Sequence, residues 1–382
     1  MEKNEERVGL VVALGVNGEG IIKEDGTVVF VPFTLIGEKI RYKVLKVTSK
    51  CAYGKVLEVL TPAEIRVRPK CPVFGKCGGC QLQHIRYLNQ LKIKEDNVKI
   101  SFKKVANLDV NVKPTIHSDD DFRYRNKLQL PVVESNNGPL IGFFAENSHR
   151  VVPIDDCKIN AHWTKNIIQA FKRYFSIAKI TGYNESTNTG DVREIVVKEI
   201  KGNLIITVVS LTKNLPKIND LISILKEELR YNFSLYQNVN PNATNVVFGD
   251  EFILHYGPKE YQGDMFGIKF MIGVKSFMQV NSQVCSKLYA GVRERIDADQ
   301  NTTVINAYSG AGLLTALLTK NAKKVIGIEI VKEAVDYADK LAKNNNLSDK
   351  IVNYLGKCED ILHSIIGDVR KDSKKVSLSF RA

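Results

Sequence analysis

No stretch of this chain reaches the roughly 20 consecutive apolar residues that a membrane-spanning helix needs. The opening run Met1-Glu2-Lys3-Asn4-Glu5-Glu6-Arg7 is charged and has no apolar core behind it. The first absence speaks against a membrane partner and the second against a secretory signal, so a cytoplasmic protein is expected. Acidic residues are in deficit: 42 Asp and Glu face 55 Lys and Arg, a formal net charge of +13. Such a surplus predicts a polyanionic partner, because each phosphate neutralised by a cation releases condensed counterions. Nucleic acid is the first candidate, with a solvated basic face that merely keeps the protein soluble as the alternative. The excess is also local, since residues 61–130 hold 14 basic side chains against 7 acidic ones. Signs of disorder are missing too. With 382 residues, 44% hydrophobic and 25% charged, the composition is that of a soluble globular protein too long for a single core.

The cysteines lack the two short Cys or Cys/His pairs of an ordinary structural zinc site. What is present is a three-plus-one pattern: Cys71, Cys77 and Cys80, with Gly78-Gly79 between the last two, and Cys157 after 76 intervening residues. Glycine lets the backbone turn tightly enough for neighbouring thiols to face one centre. Thiolates are soft donors that select zinc or iron–sulfur clusters, and the spacing favours a cluster. Zinc, or reduced thiols with no metal, remain the alternatives. His84 is a further ligand candidate, though a lone histidine more often packs. Cys51, Cys285 and Cys358 stand alone and are expected to pack as small hydrophobes.

Along the chain, residues 6–59 read as short strands separated by Gly15-Val16-Asn17-Gly18 and Asp25-Gly26 turns, which points to a small OB-like barrel. A helix is expected over 85–105, with Leu88, Leu91, Val98, Phe102 and Val105 forming a buried stripe and its lysines facing outward. In the run 122–130, Arg123, Arg125 and Lys127 alternate and should share one strand face suited to a phosphate backbone. Strands and two helices between 138 and 265 predict an α+β middle domain.

The last third lacks a Lys-Ser/Thr phosphate loop and a full G-x-G-x-x-G fingerprint, which argues against a dinucleotide. It has Val304-Ile305-Asn306-Ala307-Tyr308, a buried strand, then the turn Ser309-Gly310-Ala311-Gly312, a short apolar helix, and a second strand ending at Glu329. Such a βαβ unit, with an acid placed to accept hydrogen bonds from ribose hydroxyls, points to S-adenosylmethionine.

Together these features resemble the RNA uracil-5-methyltransferase family, in its 23S ribosomal-RNA branch. The resemblance rests on Cys71-x5-Cys77-Gly78-Gly79-Cys80-Gln81-Leu82-Gln83-His84, Tyr124-Arg125-Asn126-Lys127, Ser276-Phe277-Met278-Gln279-Val280-Asn281, and Tyr308-Ser309-Gly310-Ala311-Gly312 with Glu329. It implies a multidomain α/β protein: an OB-like TRAM β-barrel at 1–60, an iron–sulfur loop and helix at 61–120, an α+β RNA-binding domain at 121–265, and a partial Rossmann-like class I methyltransferase domain at 266–382. By resemblance, Cys71, Cys77, Cys80 and Cys157 would hold a 4Fe-4S cluster, Gln279, Tyr308 and Glu329 would bind S-adenosylmethionine, and 23S rRNA would be the partner of a monomeric enzyme. In that family a thiolate adds at uracil C6, the C5 carbon takes the methyl group, and a base removes the C5 proton. The family's Asp-Pro-Pro-Arg loop, nucleophilic cysteine and glutamate base find no counterpart here. A truncated chain with no assigned catalytic residue, and with 304–308 left at an unpaired sheet edge, is therefore expected. The alternative is a non-catalytic RNA-binding TRAM and iron–sulfur protein.

Overall fold

Alternating apolar residues and glycine turns organise the N-terminal region into six strands in the computed structural model, which describes residues 1–380. They are β1 (Glu6–Leu10), β2 (Ala13–Leu14), β3 (Gly20–Glu24), β4 (Thr27–Val31), β5 (Lys39–Val47) and β6 (Ala52–Thr61). Their order in the sheet is β1-β5-β6-β4-β3-β2. Inward positions of β3, β4, β5 and β6 supply the core of Ile22, Val29, Val31, Ile40, Tyr42, Val44 and Ala52. β6 goes beyond the sequence expectation; it joins the sheet by pairing antiparallel with β5 and parallel with β4.

The chain divides into two units. The first comprises Met1–His117, Asp121–Arg123 and Leu130–Ile159; the second comprises Ser118–Asp120, Tyr124–Gln129 and the chain from Asn160 onward. The first unit also carries α1 (Tyr87–Ala106) and most of an antiparallel set made by β7 (Lys127–Val133), β8 (Leu140–Phe144) and β9 (Val151–Pro153). The buried stripe expected on α1 is not formed, because no residue of the helix is buried. Side-chain support comes to its first half from Thr115, whose Oγ1 donates to the Leu91 carbonyl at 2.9 Å, and to its last turn from an exposed Lys103–Asp109 pair at 2.7 Å. From Ile100 to Leu108 every side chain is exposed, Val105 at 89%. The helix relies instead on spaced ion pairs such as Lys92–Asp96 at 3.1 Å, and pairs of this kind add only a few tenths of a kcal/mol each.

In the second unit, α2 (Trp163–Ala178) buries Trp163, Ile167, Phe171 and Tyr174 at helical spacing and packs against α3 (Ile218–Glu228). Both accompany β10 (Val192–Ile200), β11 (Asn203–Ser210), β12 (Asn232–Val239) and β13 (Glu251–Tyr256), which pair in that order. The β10–β11 turn is tight, with Lys201 and Gly202 both at positive φ, as a two-residue hairpin requires. The parallel β11–β12 step is crossed by α3. The hairpin of β14 (Glu260–Met265) and β15 (Ile268–Gly273) follows, then α4 (Ser282–Arg295).

The chain then builds a four-stranded, all-parallel sheet from β16 (Thr302–Ala307), β17 (Lys324–Glu329), β18 (Ile351–Leu355) and β19 (Lys375–Phe380), in the order β18-β17-β16-β19. Crossovers run through α5 (Leu313–Leu318), α6 (Lys332–Asn344) and α7 (Cys358–Asp372). The expected unpaired edge at 304–308 is corrected here. β16 lies inside the sheet, buried along its whole length, because β19 pairs with it in register from Thr302↔Lys375 to Ala307↔Phe380. A strand buried on both faces reads as a continuous apolar run, which is why β16 was legible in the sequence.

Candidate functional site

At the carboxyl end of β16 the chain turns through Tyr308, Gly310 and Gly312, at φ of +56°, +56° and +82°. Gly312 begins α5, and a Cβ there would lie 2.6 Å from the Ala338 Cβ of α6, so the glycine lets turn and helix meet. At the end of β17, Glu329 directs its carboxylate back into this turn: Oε2 accepts from the Gly310 N–H at 2.9 Å and Oε1 from the Ile330 and Val331 N–H groups, each at 3.0 Å. Gly327 keeps the floor clear, since a Cβ would come within 2.5 Å of the Asn353 side-chain oxygen and 3.0 Å of the Ser309 hydroxyl. Tyr308 is 43% exposed, and its hydroxyl donates to Glu359 at the start of α7, 2.8 Å away. Asn306 lies beneath, fully buried, its amide donating to Thr315 at 2.9 Å. Tyr308 and Glu329 are thus brought to one glycine turn, as expected from the sequence.

Gln279 sits in the loop between β15 and α4 and is half-buried. Its carbonyl accepts from the Asn126 side chain at 3.0 Å, and the next carbonyl, of Val280, accepts from the Asn126 N–H at 2.9 Å. The same loop meets α6 just beyond Glu329, where Lys275 Nζ lies 3.9 Å from a Glu333 carboxylate oxygen. Lys198, which also grips this loop, is not singled out by the sequence, and Asn126 enters there only as part of the Tyr124-Arg125-Asn126-Lys127 motif, with no role. Their partners lie far along the chain, and the only local sign was a lysine inside the apolar run Ile195-Val196-Val197-Lys198.

The cysteine-rich loop lies in the first unit. Gly78 lets it rest on β8: its N–H donates to the Phe144 carbonyl at 2.9 Å, and a Cβ there would press on the Glu146 backbone at 3.0 Å. Burial, and then the neighbouring Cys157, Cys77 and Cys71, push the Cys80 thiol up to about 11, while a hydrogen bond from Gln83 works the other way. Among the described residues, no three or more His, Cys, Asp or Glu side chains are gathered closely enough to hold a metal ion. The donor set matches a thiolate-ligated centre in its chemistry, without ligating closure. His84 packs instead of ligating: its ring stands 5.6 Å from Phe74 and 6.2 Å from Phe33, and burial pushes its pKa down to about 4.

The row of cations expected over 122–130 is also corrected. The strand begins only at Lys127, because Arg123 takes a left-handed backbone at φ +57° and its guanidinium grips Asp156 at 2.6 and 2.8 Å. Arg125 turns its Nε to the Lys127 carbonyl at 3.0 Å. Cys285 is buried in the packing of α4 and α5, and Cys51 bonds with Thr48 in a turn, as expected of packing cysteines. Cys358 is buried at the start of α7, next to the Glu359 that bonds Tyr308, and burial followed by the Glu359 charge raises its thiol.

A parallel sheet with a glycine turn after one strand and a carboxylate ending the next is the nucleotide-binding arrangement of doubly wound α/β proteins. The chain belongs to the tRNA (Uracil-5-)-methyltransferase family, whose model matches residues 86–359. It is 35% identical over 371 residues to an uncharacterized RNA methyltransferase of Clostridium acetobutylicum, covering 96% of this chain and 80% of that one. It is 37% identical over 374 residues to an uncharacterized RNA methyltransferase of Enterococcus faecalis, again covering 96% and 80%. The crystal structure of Pyrococcus abyssi tRNA (uracil-54, C5)-methyltransferase in complex with S-adenosyl-L-homocysteine shares the fold, with a TM-score of 0.71 at 24% identity over 91% of this chain and 79% of that one.

Proposed function

We propose that this protein is an S-adenosylmethionine-dependent RNA uracil-5-methyltransferase by lineage, acting as a cytoplasmic monomer, with 23S rRNA as its RNA. The observation that carries the reading is the Glu329 carboxylate, held by three peptide N–H groups at the mouth of the Gly310 turn. A carboxylate has about four acceptor positions, so one remains for a ribose hydroxyl, and a second opens if the ligand displaces a peptide donor. S-adenosylmethionine supplies an electrophilic methyl group when bound. Glu329 orients its ribose, the exposed ring of Tyr308 flanks it, and Gln279 serves the methionyl end. The net charge of +13 favours an RNA substrate electrostatically.

The six N-terminal strands serve as a TRAM-type RNA-binding barrel in this reading, and Cys71, Cys77, Cys80 and Cys157 hold a 4Fe-4S cluster, supported by the soft-donor chemistry of four free thiols. Purification under anaerobic conditions should give iron and acid-labile sulfide; zinc alone, or no metal, would reject the cluster. Uracil chemistry calls for a thiolate, and Cys358, the thiol beside the turn, is shifted in the wrong direction for one. That observation favours a second reading, an RNA-binding TRAM and iron–sulfur protein without transfer activity. Incubation with methyl-labelled S-adenosylmethionine and 23S rRNA separates the two: label in C5 of uridine supports the enzyme, and salt-dependent RNA binding without label supports the second. Failure to bind either ligand would sink both.

A further inference from the structure

Lys198 is 6% exposed on β10, and no carboxylate pairs with it among the described residues. Its ammonium donates instead to two carbonyls of one loop, Val274 at 2.6 Å and Ser276 at 2.7 Å. Burying a cation without a counter-ion is costly. Burial, and then repulsion from Lys127, draws its pKa down to about 8, so the position carries a penalty that an apolar residue would avoid. The return is a fixed backbone. The loop has no regular structure between β15 and α4, yet its carbonyls at 274, 276, 279 and 280 are all taken, two by Lys198 and two by Asn126. Ser276 also accepts from the Gly273 N–H at 3.0 Å, and its neighbour Lys275 lies 3.9 Å from Glu333 of α6, the helix that starts beside Glu329.

We propose that Lys198 is a positioning residue for the cofactor site: by gripping the Val274 and Ser276 carbonyls it holds the 274–281 loop, and Gln279 with it, against α6 beside Glu329. The inference rests on the reading of that site as one for S-adenosylmethionine. It makes the central sheet, through one side chain of β10, part of the support for a ligand bound on the parallel sheet.

The test uses the full chain with Lys198→Met and Lys198→Gln, the amide retaining a neutral donor should the methionine variant fail to fold. S-adenosylhomocysteine affinity is measured by calorimetry, and hydrogen–deuterium exchange is followed at 274–281 and across β10–β12. The expected result is affinity weaker by about tenfold or more, equivalent to at least ~1.4 kcal/mol. Exchange should become faster at 274–281 while β10–β12 stay protected, a local effect that general destabilisation would not give. Affinity within about twofold of wild type, with 274–281 exchange unchanged in a folded variant, would overturn the proposal; so would faster exchange spread evenly over β10–β12. If the wild type itself does not bind S-adenosylhomocysteine, the cofactor reading fails, and the role of Lys198 in holding the loop is then judged on exchange alone.

Discussion

Removing Arg66 should expose how much one buried ion pair costs when it is left half-made. Glu38 is fully buried, and its carboxylate accepts from the Leu35 N–H at 2.8 Å, from the Ala63 N–H at 3.1 Å, and from Arg66 in a two-pronged contact through Nε and Nη2. Arg66 Nη2 also bonds the Phe33 carbonyl at 2.8 Å. In Arg66→Met the carboxylate stays buried with two peptide donors and no cation, a loss that costs about 3–5 kcal/mol. For a unit of this size that is a fall in melting temperature of roughly 6–20 °C. Replacing both partners, as in Glu38→Leu with Arg66→Met, should recover about half of the loss or more, because the cost lies in the orphaned charge. Burial alone would raise the Glu38 carboxyl, but Arg66 and the peptide donors outweigh it and hold it below the usual carboxylate range. A depressed carboxylate contributes stability that is present above its unfolded pKa of about 4.3 and is lost as pH falls through the lower folded value. The gap between wild type and Arg66→Met should therefore narrow under acid conditions. Urea titrations followed by circular dichroism at neutral and acid pH measure all three quantities. A single-variant loss below about 1 kcal/mol, far under the cost of a broken buried pair, or a double variant no better than the single, would refute the reasoning.

Three further outcomes follow from the site. Glu329→Gln should weaken S-adenosylhomocysteine binding by roughly 10–150-fold, the equivalent of losing one charge-assisted bond of ~1.5–3 kcal/mol; calorimetric affinity within about twofold of wild type would remove Glu329 from the site. Gly312→Ala should destabilise by about 1–3 kcal/mol, because the methyl group meets Ala338 at 2.6 Å on a backbone at φ +82°; an unchanged thermal midpoint would show that turn and helix separate freely. Cys80→Ala should lose the acid-labile sulfide of anaerobically purified protein, and a variant that keeps the wild-type amount would take Cys80 out of the ligand set.

What the sequence disclosed was whatever its chemistry kept local. The strand at 304–308, the glycine turn and Glu329 fall within 26 residues, and their pattern of apolar run, glycines and terminal acid survives intact in the fold. The three clustered cysteines were legible for the same reason. Contacts between distant segments were not. Lys198 meets carbonyls 76 and 78 positions away, and in isolation it is an unremarked cation in a strand. Arg123 looked like one of three equivalent charges until Asp156, 33 residues on, claimed it and bent the backbone out of the strand. The sequence reads 304–308 as an edge because the family's loop and catalytic residues beyond the next strand find no counterpart, yet Lys375–Phe380 still forms β19 and covers it. The stripe on α1 had the right period, but periodicity cannot say whether anything stands opposite it.

The bare C-terminal half of α1 has its own consequence. With every side chain exposed from Ile100 onward, this half gains little from tertiary contact and approaches the marginal helicity of a free peptide. Its amide protons past Ile100 should exchange almost as fast as in an unstructured chain, and the Lys103-Lys104 peptide bond becomes the natural first cut for trypsin under native conditions. In this expectation the end of α1 opens before the packed sheets of the first unit, and its Lys103 and Lys104 go with it.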